Sequence, residues 1–156
     1  MLGVVIGGAA GAELRASRDE RARAGTVSLV AMPGSFGSAS GSDDGRTVLP
    51  NAQLVLVNAG PAPITVRVEG AQRPGALVRD TGQSRLMRPG GTAWIDVEVT
   101  FDCMTAFAPE PLPVSFSVET ADHRVRRTSY PIALRGSPWQ QVCERPLVRA
   151  DERAGS

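Results

Sequence analysis

At 156 residues the chain has room for one domain with appendages, and a domain of that size buries enough surface to need no metal to hold it together. Its hydrophobic content of 42% and charged content of 21% are ordinary for a globular protein. The net charge is +1, and from Thr26 to Arg145 eleven arginines meet eleven acidic residues, which excludes the basic face that nucleic-acid binding needs. All 17 basic residues are arginine, a bias that a GC-rich genome explains most simply.

Residues 1–12 are small and apolar, and residues 13–25 are charged, alanine-rich and helix-favouring. One helix is predicted over about residues 2–23, with Gly25 as its stop. The apolar part is shorter than the ~20 residues that span a bilayer, and it has no basic segment ahead of it as a signal peptide would. Gly3, Gly7 and Gly11 lie four apart on one face, the spacing that lets membrane helices approach closely. The expectation is therefore a membrane helix in which Met1 is internal and the true start lies upstream. Arg15, Arg18, Arg21 and Arg23 pull against this, because they would sit on the outer side of the membrane. The same residues imitate a dinucleotide-binding turn, but the fingerprint ending at Gly11 would need glycine where Ile6 stands.

After Gly25 the period changes to two. Thr26–Met32 is predicted as a short strand, and residues 33–46 as a mobile Gly/Ser loop. Asp43 and Asp44 in that loop lack the alternating oxygen ligands and distal glutamate of a calcium site. Strands follow at Thr47–Asn58 and, after the turn cluster of residues 58–63, at Ile64–Glu69. Weaker strands are expected at Ala76–Arg79 and Ser84–Arg88. The strongest alternation in the chain comes next. Ile95, Val97, Val99, Phe101 and Cys103 share one parity, while Trp94, Asp96, Glu98, Thr100 and Asp102 share the other. Leu112, Val114, Phe116 and Val118 alternate in the same way, residues 120–123 turn, and residues 124–134 return. A last segment, Trp139–Glu144, carries Cys143, and the remainder is a polar tail.

These elements predict a mainly β fold: an immunoglobulin-like or fibronectin III-like antiparallel β-sandwich of seven to nine strands, preceded by one N-terminal α-helix. Three parts are expected: residues 1–25 as helix and truncated anchor, 26–145 as the sandwich, and 146–156 as a flexible tail. The expected core is Leu54, Leu56, Ile64, Val66, Val68, Ile95, Val97, Val99, Phe101, Val114, Phe116, Val118, Ile132 and Leu134.

Cys103 and Cys143 are the two cysteines, and 40 positions apart in an all-β chain they fit a single disulfide better than two buried thiols. Such a bridge clasps the C-terminal segment to the end of the strongest strand and implies an oxidising compartment. His123 is the single histidine, and although Asp122 precedes it, a hairpin turn seldom supplies the geometry of a Ser-His-Asp machine. One histidine and two paired cysteines leave no metal set, and neither a catalytic constellation nor a cofactor motif is found. Arg124, Arg126 and Arg127 form a basic cluster beside His123; Arg124 and Arg126 share a strand face that could meet anionic lipid or wall polymer, the alternative being solvated hairpin charge. Trp94 lies on the polar parity of its strand. Cover by the tail around Trp139 is favoured, since exposing a large apolar face is costly, and a binding anchor is the alternative.

The order of features from Val48 to Cys143 resembles a small ectodomain common in actinobacterial proteins. It runs from Leu54-Val55-Leu56-Val57-Asn58-Ala59-Gly60-Pro61, through Arg88-Pro89-Gly90-Gly91 and the strand ending in Cys103, to Val114–Asp122 and a tryptophan before the final cysteine. The resemblance implies an immunoglobulin-like domain following one membrane helix. His123 departs from it, standing where glycine is usual, and the cysteines do not match the antibody bridge across the core. The functional expectation is a non-enzymatic envelope module at the cell membrane, with a membrane or envelope protein partner met through the helix or a sandwich face. A soluble secreted ligand-binding domain is the alternative, and a hydrolase or redox enzyme ranks last.

Overall fold

A computed structural model of the protein describes residues 7–41 and 46–144. Gly3, Asp43, Asp44 and the tail 146–156 lie outside the described residues, and of Gly7 and Gly11 only the helical backbone is described. Helix α1 (Gly7–Ala24) is followed by nine strands: β1 (Leu29–Phe36), β2 (Ser40–Gly41), β3 (Arg46–Asn58), β4 (Ile64–Arg73), β5 (Ala76–Asp80), β6 (Ser84–Met87), β7 (Thr92–Asp102), β8 (Leu112–Thr120) and β9 (Val125–Ile132). A 3-10 turn, Pro138–Gln140, then runs into a four-residue helix α2, Gln141–Glu144. The Gly/Ser stretch is more ordered than its composition predicts. Its first residues extend β1, and β2 pairs with β3 at Ser40↔Val48.

All strand pairs are antiparallel, in the order β1-β3-β7-β5-β4-β8-β9, with β2 against β3 and β6 against β4. The result is one curled sheet, a half-barrel, rather than two clearly separate sheets. The cause lies in β4. Its first half pairs with β8 and β6, as in Val66↔Val118 and Val66↔Arg85, while its last three residues pair with β5, as in Gln72↔Leu77. The register shifts between Val68 and Gly70, and Gly70 has φ +122°. A side chain there would be strained, and its Cβ would come within 2.7 Å of the Val78 carbonyl oxygen. Glycine therefore lets one strand serve both walls of the curl. The outer members of the path, β1 and β9, carry Pro33 and Pro131, residues that blunt an exposed edge.

The inner face is the expected one. All 14 predicted core residues are buried, with every second residue of β7 from Ile95 to Phe101 turned inward. Leu49, Leu112, Met87 and Val78 extend this core, and Trp139 and Val142 close it from the C-terminal segment. Fully burying each large apolar side chain stabilises the fold by about 1.5–3 kcal/mol.

Cys103 and Cys143 are joined in a disulfide, with Cα atoms 5.6 Å apart. β7 ends at Asp102, so the bridge ties the turn just beyond it to α2. The clasp has an apolar half as well, since Trp139 is 0% exposed. That corrects the expectation that Trp139 covers Trp94. Trp139 belongs to the inner core, whereas Trp94 points outward and is 55% exposed. No described helix is long and apolar enough to cross a membrane.

Candidate functional site

Three regions carry the candidate residues. The first is the outer face of β1, β3 and β7. The same alternation that sends Leu54, Leu56 and Ile95 inward sends Val55, Val57 and Trp94 outward. Met32 pairs with Val55, and Val55 pairs with Trp94, so these three form one cross-strand row. Val30↔Val57↔Thr92 forms the next row on the same face.

Beside this apolar row stands a polar one. Gln53 pairs with Asp96 and donates from Nε2 to Asp96 Oδ1 at 3.1 Å, while Gln83 donates to Asp96 Oδ2 at 2.7 Å. Ser35 donates to Gln53 Oε1 at 2.9 Å, and Arg85 donates to Gln83 Oε1 and to the Trp94 carbonyl. The hydrogen bond from Gln83 and then that from Gln53 hold the Asp96 carboxyl below its ordinary range, with the Arg85 charge adding to them. The face thus presents an aromatic ring and a methionine beside an ionised carboxylate whose neighbours are fixed.

The second surface is a shallow cleft of about 830 Å³ between the last turn of α1 and the start of β9, which collects the sequence-predicted arginines. Arg124, Arg126 and Arg127 line it together with Asp122, and Arg21 joins them from the helix. Arg126 pairs with Val118 and so lies on the inward-facing row of β9, at the open end of the curl. Arg127 lies on the opposite face and pairs with Glu69 at 2.6 Å. Arg124 reaches Asp122 at 3.7 Å. The Thr120 hydroxyl donates to Asp122, and this bond, with the Arg124 charge behind it, lowers the Asp122 pKa below its ordinary value.

His123 forms the tip of this hairpin in the left-handed region, φ +58°, the conformation in which glycine is usual. Its Nδ1 is 3.4 Å from Glu119 Oε1, and both side chains are open to solvent. This places the histidine on a turn beside the Glu119 carboxylate, and no serine or cysteine among the described residues bonds to it. Among the described residues no group of three or more His, Cys, Asp or Glu side chains could hold a metal ion.

The third region is the end of the curl near Asn58, which in the sequence is only part of a turn cluster. Asn58 is 0% exposed. Its Nδ2 donates to the Ala62 and Met87 carbonyls at 2.9 and 3.2 Å, and its Oδ1 accepts from the Gly60 amide at 2.9 Å. Its backbone bonds both Gly90 and Gly91. One amide side chain thus fixes the β3–β4 turn and ties it to the end of β6. The signal was present in the sequence: Asn58 shares the inward parity of Leu54 and Leu56, and a polar residue at such a position needs a full set of partners. Arg73 plays a similar part at another corner, donating to the Glu110 and Ala106 carbonyls. The structure therefore brings the arginine cluster together, separates the two tryptophans, and assigns the cysteines to the C-terminal clasp.

No family model matches the chain, and no curated protein does. Among solved structures, the FixG-related protein from Vibrio parahaemolyticus is similar at a TM-score of 0.34 and 7% identity, over 69% of this chain and 94% of that one. At that score the likeness carries no inference about function.

Proposed function

We propose that the chain is a non-catalytic module of the cell envelope, held outside the membrane by its N-terminal helix and acting as a binding or structural part of a membrane-associated assembly. The observation that carries this reading is the outer face of β1, β3 and β7, where Trp94 stands 55% exposed in a row with Val55 and Met32. Exposed apolar patches rimmed by polar groups mark contact sites, and tryptophan is the residue most enriched at their energetic centres. The disulfide supports an extracytoplasmic address, because such bridges persist in oxidising compartments. The spacing of Gly3, Gly7 and Gly11 supports a packed membrane helix. The strand order supports reading the half-barrel as an immunoglobulin-like sandwich drawn together at one side. β1-β3-β7-β5 follows the order of one sheet of that fold, and β4-β8-β9 follows the other. The run of features from Val48 to Cys143 supports an ectodomain of the actinobacterial type.

The test is membrane fractionation of the full gene product, combined with a photo-cross-linking residue placed at position 94 in cells. Retention in the membrane fraction and a discrete cross-linked product at position 94 are expected. Full release into the soluble fraction would favour a secreted domain, and the absence of any cross-link would remove the contact role of Trp94.

A further inference from the structure

We propose that the cleft between the last turn of α1 and the start of β9 binds a phosphate-type oxyanion carried by a molecule outside this chain. Arg21, Arg124 and Arg126 line it, with Arg127 at its edge from the opposite face of β9. Two of these charges are already matched, Arg127 by Glu69 and Arg124, more loosely, by Asp122. Asp122 is also committed to the Thr120 hydroxyl. Arg21 and Arg126 have no side-chain acceptor among the described residues.

The cleft thus gathers four guanidinium groups against the carboxylates of Asp122 and Glu69, and an incoming anion relieves the repulsion that remains. Two unmatched cations suit a dianion: one phosphate monoester, or two neighbouring diester charges on a polymer. The planar fork of arginine recognises such oxygens in pairs, which a point charge does not. The Arg126 and Asp122 side chains both reach the end of the helix: a Cβ at Gly25 would lie 3.2 Å from Arg126 Nη2 and 3.6 Å from Asp122 Oδ2. The open shape of the cleft suits a chain or headgroup passing across it.

Two sources share this chemistry, a lipid headgroup and a phosphate-bearing polymer in the envelope. The helix favours the polymer. Residues 13–24 are helical, and a helix leaving the bilayer along its normal would set the cleft about 18 Å from the apolar segment. Surface charges are screened beyond about 8 Å at physiological salt. This preference between sources rests on the membrane reading above, whereas the cleft chemistry does not.

The experiment uses the full chain with two probes: short-chain inorganic polyphosphate in solution, and vesicles of phosphatidylcholine with phosphatidylglycerol. Polyphosphate should bind with an affinity that falls as salt rises, and Arg21→Gln and Arg126→Gln should each weaken it about tenfold at low salt. Arg79→Gln, which removes a cation paired with Glu98 on β7, should leave it unchanged. Arg21 lies on the exposed face of α1, so its variant keeps the fold even where Arg126→Gln loosens the hairpin. Vesicle binding with the same dependence on Arg21 and Arg126 would support the cleft and assign its source to headgroups. Binding to neither probe, or equal losses in Arg79→Gln, would overturn the proposal and leave Arg126 as a charge that guards the β9 edge and caps the helix.

Discussion

The first and last described elements, α1 and α2, stand in opposite relations to the curled sheet. At the C-terminal end, Trp139 and Val142 enter the core and a disulfide fixes α2 to the turn after β7. At the N-terminal end, α1 buries almost nothing, and Leu14, its one large apolar side chain among the residues whose exposure is described, is 62% exposed. Its last turn is closed locally: the Gly25 amide donates to the Arg21 carbonyl and the Thr26 hydroxyl to the Ala22 carbonyl, and the Arg126 guanidinium lies near Gly25. Apolar burial and a covalent link make the C-terminal segment part of the fold. The helix remains an appendage with little apolar burial among its described residues.

The sharpest way to break the contrast is at Trp139. Trp139→Ala empties a fully buried site and should cost about 3–5 kcal/mol, read as a shift in the urea midpoint. Trp139→Phe should cost far less. The indole N–H is buried without a hydrogen-bond partner, and removing an unsatisfied donor returns part of what the smaller ring loses. Next comes the disulfide. Replacing Cys103 and Cys143 together by serine frees a 40-residue separation, and the chain-entropy account puts the loss at about 4 kcal/mol. Leu14→Ala on α1, by contrast, should move the midpoint by less than about 0.5 kcal/mol. Equal effects at Leu14 and Trp139 would show that the helix packs on the body after all.

Which parts of this could be read in advance follows from the range of the forces involved. Period-two alternation is local, so the inward places of Ile95 to Phe101 and of Val114 to Val118 are legible in the sequence. The disulfide was legible because two cysteines in a β chain allow one pairing. The curl was not legible, because it depends on Gly70 letting β4 pair with β5 at one end and β8 at the other, a long-range choice. Nor was the fate of Trp139. It follows a proline in a short polar segment, and nothing local announces that the segment folds back into the core. Among the surface residues, the arginine cluster was visible as a run on β9, but its fourth member, Arg21, comes from an element about a hundred residues earlier.

Helix propensity gives a finer probe of the N-terminal attachment. Ala22 sits in the last turns of α1, where glycine costs about 1 kcal/mol relative to alanine. Because the helix contributes little packing, Ala22→Gly should fray α1 without lowering the global midpoint by a comparable amount. Amide exchange would then quicken in residues 12–24 and stay unchanged in β7 and β8. A matching loss of protection in those strands would mean that the helix and the sheet unfold as one unit.

The smallest expected effect is on pH, and it separates the two ends by sign and place. The Asp122 pKa is lowered, first by the Thr120 hydroxyl and then by the charge of Arg124. A carboxyl whose folded pKa is depressed favours the folded hairpin above its unfolded value, and that contribution is lost as pH falls through the folded value. Acid should therefore loosen the Thr120–Arg124 turn, and with it the base of α1, at a pH below the ordinary aspartate value of 3.8. The C-terminal clasp has no ionisable group in its buried part, so Trp139 and the disulfide should be insensitive over the same range. Nuclear magnetic resonance titration of the Thr120, His123 and Trp139 amides would read both ends at once. Asp122→Asn should remove the acid step from the hairpin and leave the tryptophan signal as it was. An acid transition shared by Trp139 would show that the two ends are coupled through the sheet, and that the appendage is less independent than its sparse burial implies.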